Sequence, residues 1–536
     1  MFFWRTRLSS AKLGLILTIS WLAFFRVSVA NPPGAIPPAE TIQKTGSILN
    51  VYPIQLPPIE VAPGQSLVKL SLRDAIIQAL SSNLDIAIQR LEPAAAKANL
   101  LQTKGTFDPT LGTNVRYNES NNPRTSEQIA ADGLSAVQTR NTTAALSARQ
   151  LTAAGTEVSA TTNTQNRQGT FNRFDDEYSS FGGFEFRQPV LKNFGTDINL
   201  APIRIAQKQV EQSQLVFLNS VEDIILNVQD AYYELMYAIA DANSREQSLQ
   251  LAQKLLSDNE SRVELGVMTP LDVSQARAEV ATRKSDLLRI RLLISENANV
   301  LKSLITRDMV EWLSRDIQPT AQLTDPAQDP PPIYQIAQAL HYRFDYQATI
   351  NEAKQRNINL KFRQNQLLPQ VDLLGSYGYS GINKDLDKSV RNVLSGDDPN
   401  WFVGFSVEIP LGNRSERGRY DLAKIDQQRT LLNLKKLESS IIVEVDNSAK
   451  RVITSKEQVE TTRVARIFAD ENVRAEEERL KEGATTSYVV LQLQRDLVDS
   501  RTRELRALAD YYKSRARLQR AKGTLLPDNG IKVDAP

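Results

Sequence analysis

The chain has 536 residues, with 64 Lys and Arg against 62 Asp and Glu, no cysteine and one histidine. A formal charge of +2 gives no concentrated basic footprint for nucleic acid. The missing cysteines exclude disulfides, thiolate metal sites and an acylated N-terminal cysteine, while the lone His341 excludes a histidine-based metal cluster and reads as a packed helix residue.

Arg5, Arg7 and Lys12 precede an apolar run from Leu13 to Phe25, and Ser28-Val29-Ala30 follows in the small-x-small spacing of a signal-peptidase site. Residues 1–30 are thus expected to be an export signal cleaved after Ala30. A run of about 13 residues is too short for a membrane anchor, which needs roughly 20. Residues 31–65 hold many prolines, among them Pro32, Pro33, Pro37, Pro38, Pro57 and Pro58, and predict an extended arm or linker.

From Leu72 the pattern is helical, breaks at Ser81-Ser82-Asn83, and resumes from Leu84 towards Lys104 with Pro93 as the expected kink. Past Pro109, Leu111, Thr113, Val115 and Tyr117 alternate with Gly112, Asn114 and Arg116, the period of a strand with one apolar and one polar face. Further strands are expected at 144–151, 156–163, 178–187, 371–380 and 401–409, apolar side outward, with the Asn-, Ser- and Asp-rich stretches 118–141 and 383–400 as solvent-facing loops.

A heptad-like step through Phe217, Val221, Ile224, Val228, Ala231, Leu235, Ala238 and Ala242 predicts one very long helix over about 200–265. A less regular counterpart over about 419–481 uses Leu434, Leu437, Ile441, Val445, Ala449 and Val452. Each ends at a glycine, Gly266 or Gly483, followed three residues later by Thr269 or Thr486. Glycine closes one helix in the left-handed conformation and threonine caps the next, with Pro270 at its first position and Asp272 at its third. Each half therefore contains a long helical hairpin.

The halves match at an offset of 260 residues: Gln78, Ala79, Leu80, Asp85, Asn99, Leu100, Pro109 and Tyr117 recur as Gln338, Ala339, Leu340, Asp345, Asn359, Leu360, Pro369 and Tyr377. A period this long denotes duplicated large units rather than a solenoid. The expected organisation is a first repeat over 66–310, a linker over 311–332, a second repeat over 333–526 and a tail over 527–536. Four strands per protomer, or six if 144–151 and 156–163 form an extra hairpin, do not close a barrel, which takes about eight, so closure requires several protomers to pool strands.

The signal segment, the duplicated helix-strand-helix halves, Gln188-Pro189-Val190-Leu191 running into Gly195, and the paired Gly-x-x-Thr turns resemble the TolC-like outer-membrane efflux proteins over about residues 66–526. The resemblance implies an α+β membrane protein: a homotrimer with a long antiparallel α-helical barrel continued by a transmembrane β-barrel. It implies a passive exit duct for small molecules or proteins, in a tripartite efflux or type I secretion system. The implied partners are a periplasmic adaptor (membrane fusion) protein, an inner-membrane pump of RND, ABC or MFS type, and outer-membrane lipid. Leu265, Gly266, Thr269, Leu271, Gly483 and Thr486 are then the adaptor-docking tips, while Asp272, Glu476, Glu477 and Glu478 are candidates for the periplasmic gate. Val489 and Gln492 stand where some members carry two aspartates. No nucleophile-base pair, phosphate loop or metal cluster is present in the sequence, so neither enzymatic activity nor a cofactor is expected. The competing expectation is a periplasmic coiled-coil scaffold with a soluble β cap.

Overall fold

The computed structural model describes residues 66–133, 135–266, 268–321 and 332–533. The export signal and the proline-rich arm lie outside the described residues. The first repeat opens with strand β1 (Ser66–Leu70), then α1 (Leu72–Ser82), α2 (Leu84–Gln89) and α3 (Leu91–Lys104). Asn83 ends α1 and caps α2, its Oδ1 accepting from the Ile86 N–H at 3.0 Å. The second break falls at Arg90 rather than at Pro93. A proline ring clashes with the carbonyl four residues before it, here Gln89, so the helix is interrupted upstream and Pro93 sits in the first turn of the next.

Strand β2 (Thr110–Pro123) follows, then α4 (Ser126–Asp132), β3 (Ala136–Leu151), β4 (Glu157–Gly169) and β5 (Tyr178–Pro189). The second repeat contributes β7 (Gln370–Asn383) and β8 (Pro399–Glu408), numbered after a short β6 (Arg315–Pro319). Six strands form one antiparallel sheet in the order β2-β3-β4-β5-β7-β8, and β1 pairs in parallel with β6. The expected loop over 118–141 is strand at both ends, 118–123 and 136–141, because polar side chains do not stop a backbone ladder. Pairing runs from Thr110↔Arg149 to Pro123↔Ala136. The loop over 383–400 holds a helix, α11 in chain order (Leu386–Ser395), packed on the sheet, with the Ser389 hydroxyl donating to Gly381 O at 2.8 Å.

Between β5 and β7 in the chain run α5 (Thr196–Asn199), the long α6 (Ala201–Glu264), α7 (Pro270–Ile305) and α8 (Met309–Leu313), then α9 (Pro332–Tyr342) and α10 (Phe344–Gln366). After β8 come α12 (Arg414–Lys481), α13 (Ser487–Lys522) and α14 (Leu525–Asp528). At 1.5 Å per residue the two long helices reach about 100 Å each.

The shorter helices meet end to end beside them. Asn83 Nδ2 donates to Leu304 O at 2.9 Å in the first repeat, and Arg343 Nη1 donates to Ala521 O at 3.2 Å in the second, the two residues being 260 apart. Every position of the predicted heptad on α6 is buried, from Phe217 to Ala242. The main core packs Phe217, Val221, Tyr232 and Leu235 against Ile76, Leu301, Ile305 and Trp312. Trp312 belongs to the expected linker, which therefore forms core and a strand pair. Ile531 and Val533, in the expected tail, pack on the same core.

A second device joins the repeats. Helix α6 carries Asp223, Asp230, Glu234 and Asp241 towards α13, which answers with Arg520, Arg517, Lys513 with Arg506, and Thr502. The Asp223–Arg520 and Asp230–Arg517 pairs are each 2.8 Å. An acidic stripe on the first long helix thus faces a basic stripe on the last.

Candidate functional site

The two hairpin turns are built by the same local rules. In the first, Gly266 has φ +75° and its N–H donates to Val263 O at 2.9 Å. In the second, Gly483 has φ +73°, its N–H donates to Leu480 O at 3.2 Å, and Ala484 N–H donates to Arg479 O at 2.8 Å, a complete Schellman closure. Thr269 and Thr486 both sit in extended backbone at the start of the following helix.

The carboxylate of Asp272 turns back on its own cap, accepting from Thr269 N–H at 3.1 Å and from the Thr269 hydroxyl at 2.7 Å. Val489 occupies the equivalent third position after Thr486, so the second turn lacks this reciprocal bond. Leu265 and Leu271 are 78% and 66% exposed, and Tyr488 joins them on the surface at 56%. Gly266, Thr269, Gly483 and Thr486 are exposed as well. The predicted tip residues are therefore presented together as two apolar-edged turns.

The turns are tied to one another. Ser487, buried at the start of α13, donates to Asn259 Oδ1 at 3.0 Å, and Met268 Sδ lies 3.9 Å from the same hydroxyl. Both partners belong to the other hairpin. Sequence reading missed this link, because a Ser beside a Thr cap carries no long-range signal.

The acidic run divides. Glu476 pairs with Arg479 at 3.0 Å and Glu478 with Lys481 at 2.6 Å, each within one turn of its own helix. Glu477 reaches across the hairpin and accepts from Gln494 Nε2 at 2.9 Å. Gln494 Oε1 in turn accepts from Arg283 Nη1 at 3.4 Å.

Arg283 is buried between helices. It donates to Glu279 at 2.9 Å, to Ser248 O at 2.9 Å, to Ser248 Oγ at 3.0 Å and to Leu491 O at 3.3 Å. Glu279 also accepts from Arg495. Burial alone would raise the Glu279 carboxyl, but hydrogen bonds from Arg495 and Arg283 outweigh it and hold the group below its usual range. One guanidinium thus fastens α7 to α6 and α13 a few turns from the tips. The spacing Glu279-Arg283 was a visible i,i+4 pair, but nothing in it indicated a third helix.

At the opposite end the strand register carries one row across the sheet: Leu111, Ala148, Ala160, Phe184, Tyr377 and Trp401. On that face the six strands bear only two charges, Glu119 and Arg140, paired with each other at 3.1 Å towards the end away from the long helices. All their other charges, Arg116, Arg149, Glu157, Arg167, Glu185, Arg187, Asp372 and Glu408, fall on the opposite face. Two pairs line its helix-side rim, Arg187–Asp372 at 2.6 Å and Arg149–Glu157 at 2.9 Å. One face is thus suited to hydrocarbon and the other to water. No described helix is long and apolar enough to cross a membrane.

Two long helical hairpins are thus joined to a sheet with one lipid-compatible face, the architecture of an outer-membrane protein with a periplasmic helical extension. The chain matches the family described as "Outer membrane efflux protein" over residues 75–307 and 335–524, and it belongs to that family. It is 24% identical over 279 residues to the probable efflux pump outer membrane protein TtgC of Pseudomonas putida, a match spanning 51% of this chain and 55% of that protein. The matched region thus covers about half the length of that relative. It is 22% identical to the outer membrane protein TolC of Vibrio cholerae, over 62% of this chain and 74% of the other. The fold is that of the Campylobacter jejuni CmeC outer membrane channel, with a TM-score of 0.63, 15% identity and coverage of 85% and 86%. The chain is accordingly an outer-membrane protein with a periplasmic helical extension, and its relatives are channel proteins rather than enzymes.

Proposed function

We propose that three copies of this chain assemble into a passive exit duct. In this reading their sheets close a transmembrane β-barrel and their hairpins close a helical barrel through the periplasm. The observation that carries the reading is the open sheet, with two free edges among the described residues and all but one ion pair of its charges on one face, attached to helices about 100 Å long. A protomer that exposes such an edge satisfies it by pairing with another copy. Helix α12 supports the same assembly, since Leu422, Ile425, Leu432, Val443, Val464 and Phe468 stay exposed along it in the single chain.

The first repeat, the linker and the second repeat would each supply one sector of this wall, after removal of the export signal and with the proline-rich arm outside it. The tips Leu265, Gly266, Thr269, Leu271, Gly483 and Thr486 would dock a periplasmic adaptor, and an RND, ABC or MFS pump in the inner membrane would supply the energy. Cargo would be small molecules, or proteins in a type I secretion arrangement. At the entrance, Asp272 would stiffen the first tip and Glu477 would act through Gln494 and Arg283, while Glu476 and Glu478 neutralise neighbouring cations. The test is detergent extraction from outer membranes followed by native mass, combined with export in cells lacking the gene. A detergent-dependent trimer whose loss abolishes export is expected; a periplasmic monomer or dimer extracted without detergent would restore the scaffold reading.

A further inference from the structure

We infer that all six strands of each protomer enter the barrel wall, so that the trimer closes a barrel of three times six, or eighteen, strands, with β2 of one copy paired to β8 of the next. This rests on the trimeric duct proposed above. It adds the strand count, the joint and its register.

The duplication makes the count informative. The second repeat provides one hairpin, β7-β8, whereas the first provides four strands, because β3 and β4 are inserted between β2 and β5. If that hairpin stood outside the wall, three copies would pool only twelve strands. Its pairing places it inside. β4 is laddered to β3 from Thr139↔Gly169 to Leu151↔Glu157, and to β5 from Glu157↔Arg187 to Asn166↔Tyr178.

The face pattern also passes through it unbroken. Thr142, Ala144, Leu146, Ala148, Val158, Ala160, Thr162 and Thr164 continue the mainly uncharged face, where Arg140 is paired with Glu119, while Arg149 and Glu157 continue the charged one. Its helix-side turn is wedged in place: Gly195 N–H donates to Ala154 O at 3.2 Å, and a Cβ on Gly155 would stand 2.5 Å from Asn193 O.

Closure geometry supplies an independent check. With six alternating strands, β2 and β8 run in opposite directions, so a β8-to-β2 joint is antiparallel like every ladder within the protomer. Setting the helix-side ends flush places Glu408 opposite Thr110 of the neighbour. Seven residues up both strands, Trp401 then faces Tyr117. Both lie on the apolar face and both are exposed in the single chain, at 67% and 61%, so the pleats agree; a shift of one residue would set the apolar face of one strand against the polar face of the other.

The row that leaves β2 at Leu111 and reaches Trp401 therefore re-enters the next copy at Tyr117, a stagger of six residues (117 less 111). Three copies give a total stagger of eighteen, equal to the strand number. That ratio corresponds to a strand tilt of about 36°, inside the range closed barrels adopt. Barrel diameter grows roughly linearly with strand number, so this lumen is about half again as wide as a twelve-stranded one and falls in the size class of water-filled porins. Selection among cargoes then falls to the helical end, not to the barrel.

Because the chain lacks cysteine, the wall can be read by thiol pairs in the full-length protein in outer membranes. Thr113→Cys with Phe405→Cys tests the joint at the stated register, and Ala160→Cys with Phe184→Cys tests whether β4 lies beside β5. Facing Cβ atoms about 5 Å apart are bridged by oxidation or a short methanethiosulfonate reagent. The expected result is a covalent ladder ending at trimer for the first pair and an intrachain bridge for the second, with Thr113→Cys and Trp401→Cys unlinked. If native mass shows a trimer and either expected bridge is missing, the eighteen-stranded wall is overturned and the duct stands. A monomer with no intermolecular bridge overturns both.

Discussion

Glu222 lies on α6 with its side chain fully buried, and neither carboxylate oxygen accepts a hydrogen bond. Arg520 Nη1 stands 3.2 Å from Oε2, while Asp223, Arg343 and Asp345 surround the pair. Burial pushes the carboxyl from its usual value of 4.5 up to about 7; Arg520 and Arg343 oppose that shift, and Asp223 and Asp345 add to it. The folded state therefore holds the proton more tightly than the unfolded chain. The stabilisation is fully present below pH 4.5 and is lost as pH rises through about 7.

Between pH 5 and pH 8 this one group should remove about 2–3 kcal/mol of stability, at ~1.4 kcal/mol per tenfold change in proton activity. At ~2 cal/mol/K of unfolding entropy per residue, a chain of 536 residues has about 1 kcal/mol/K, so the midpoint should fall by about 2–3 °C. Glu222→Gln keeps the shape and cannot ionise, and Arg520 retains Asp223 and Asn219. The assay is loss of helical circular dichroism on heating in detergent at both pH values. The midpoint difference between wild type and variant should move in favour of the variant as pH rises. A difference that stays constant from pH 5 to pH 8 would refute the reasoning.

Other outcomes follow from the same contacts. Replacing Gly266 or Gly483 with valine forces a β-branched residue into left-handed backbone at a cost of roughly 1–2 kcal/mol confined to the tip, where space is open. Export should be lost with trimer abundance unchanged, and normal export by both variants would remove the docking assignment. Arg283→Met leaves Glu279 buried with Arg495 alone and severs α7 from Gln494, so single-channel conductance should rise and stability should drop by about 3 kcal/mol; unchanged conductance would place closure elsewhere. Asp272→Ala removes the bonds to Thr269, costing ~1 kcal/mol of helix capping, and should also raise conductance, more weakly. Gly523, with φ +70°, would bring a Cβ within 2.9 Å of the Arg343 backbone. Gly523→Ala should therefore lower stability by about 2–5 kcal/mol, seen as reduced trimer in outer membranes.

Much of this architecture was legible from local rules. Helix spacing placed α6 and α12, alternation placed the strands that follow Pro109 and Pro369, and Gly-x-x-Thr located both hairpin turns, because periodicity and left-handed closure depend only on neighbouring residues. Local reading failed where a partner came from far away. The strand ends over 118–123 and 138–141 carry mostly polar side chains on both faces and are held by ladder bonds that side-chain pattern does not report. The break at Arg90 came from Pro93 acting backwards on a carbonyl.

The sequence alone thus determined the two long helical hairpins and the residues displayed at their turns. Only the tertiary structure decided which charges meet. It set the acids of α6 against the bases of α13, and it made Arg283 the link among three helices when its visible partner was Glu279. It also decided that six strands share one sheet. These are contacts between segments as much as 300 residues apart, and a carboxylate or a strand edge takes its role from what stands opposite it once the chain has folded.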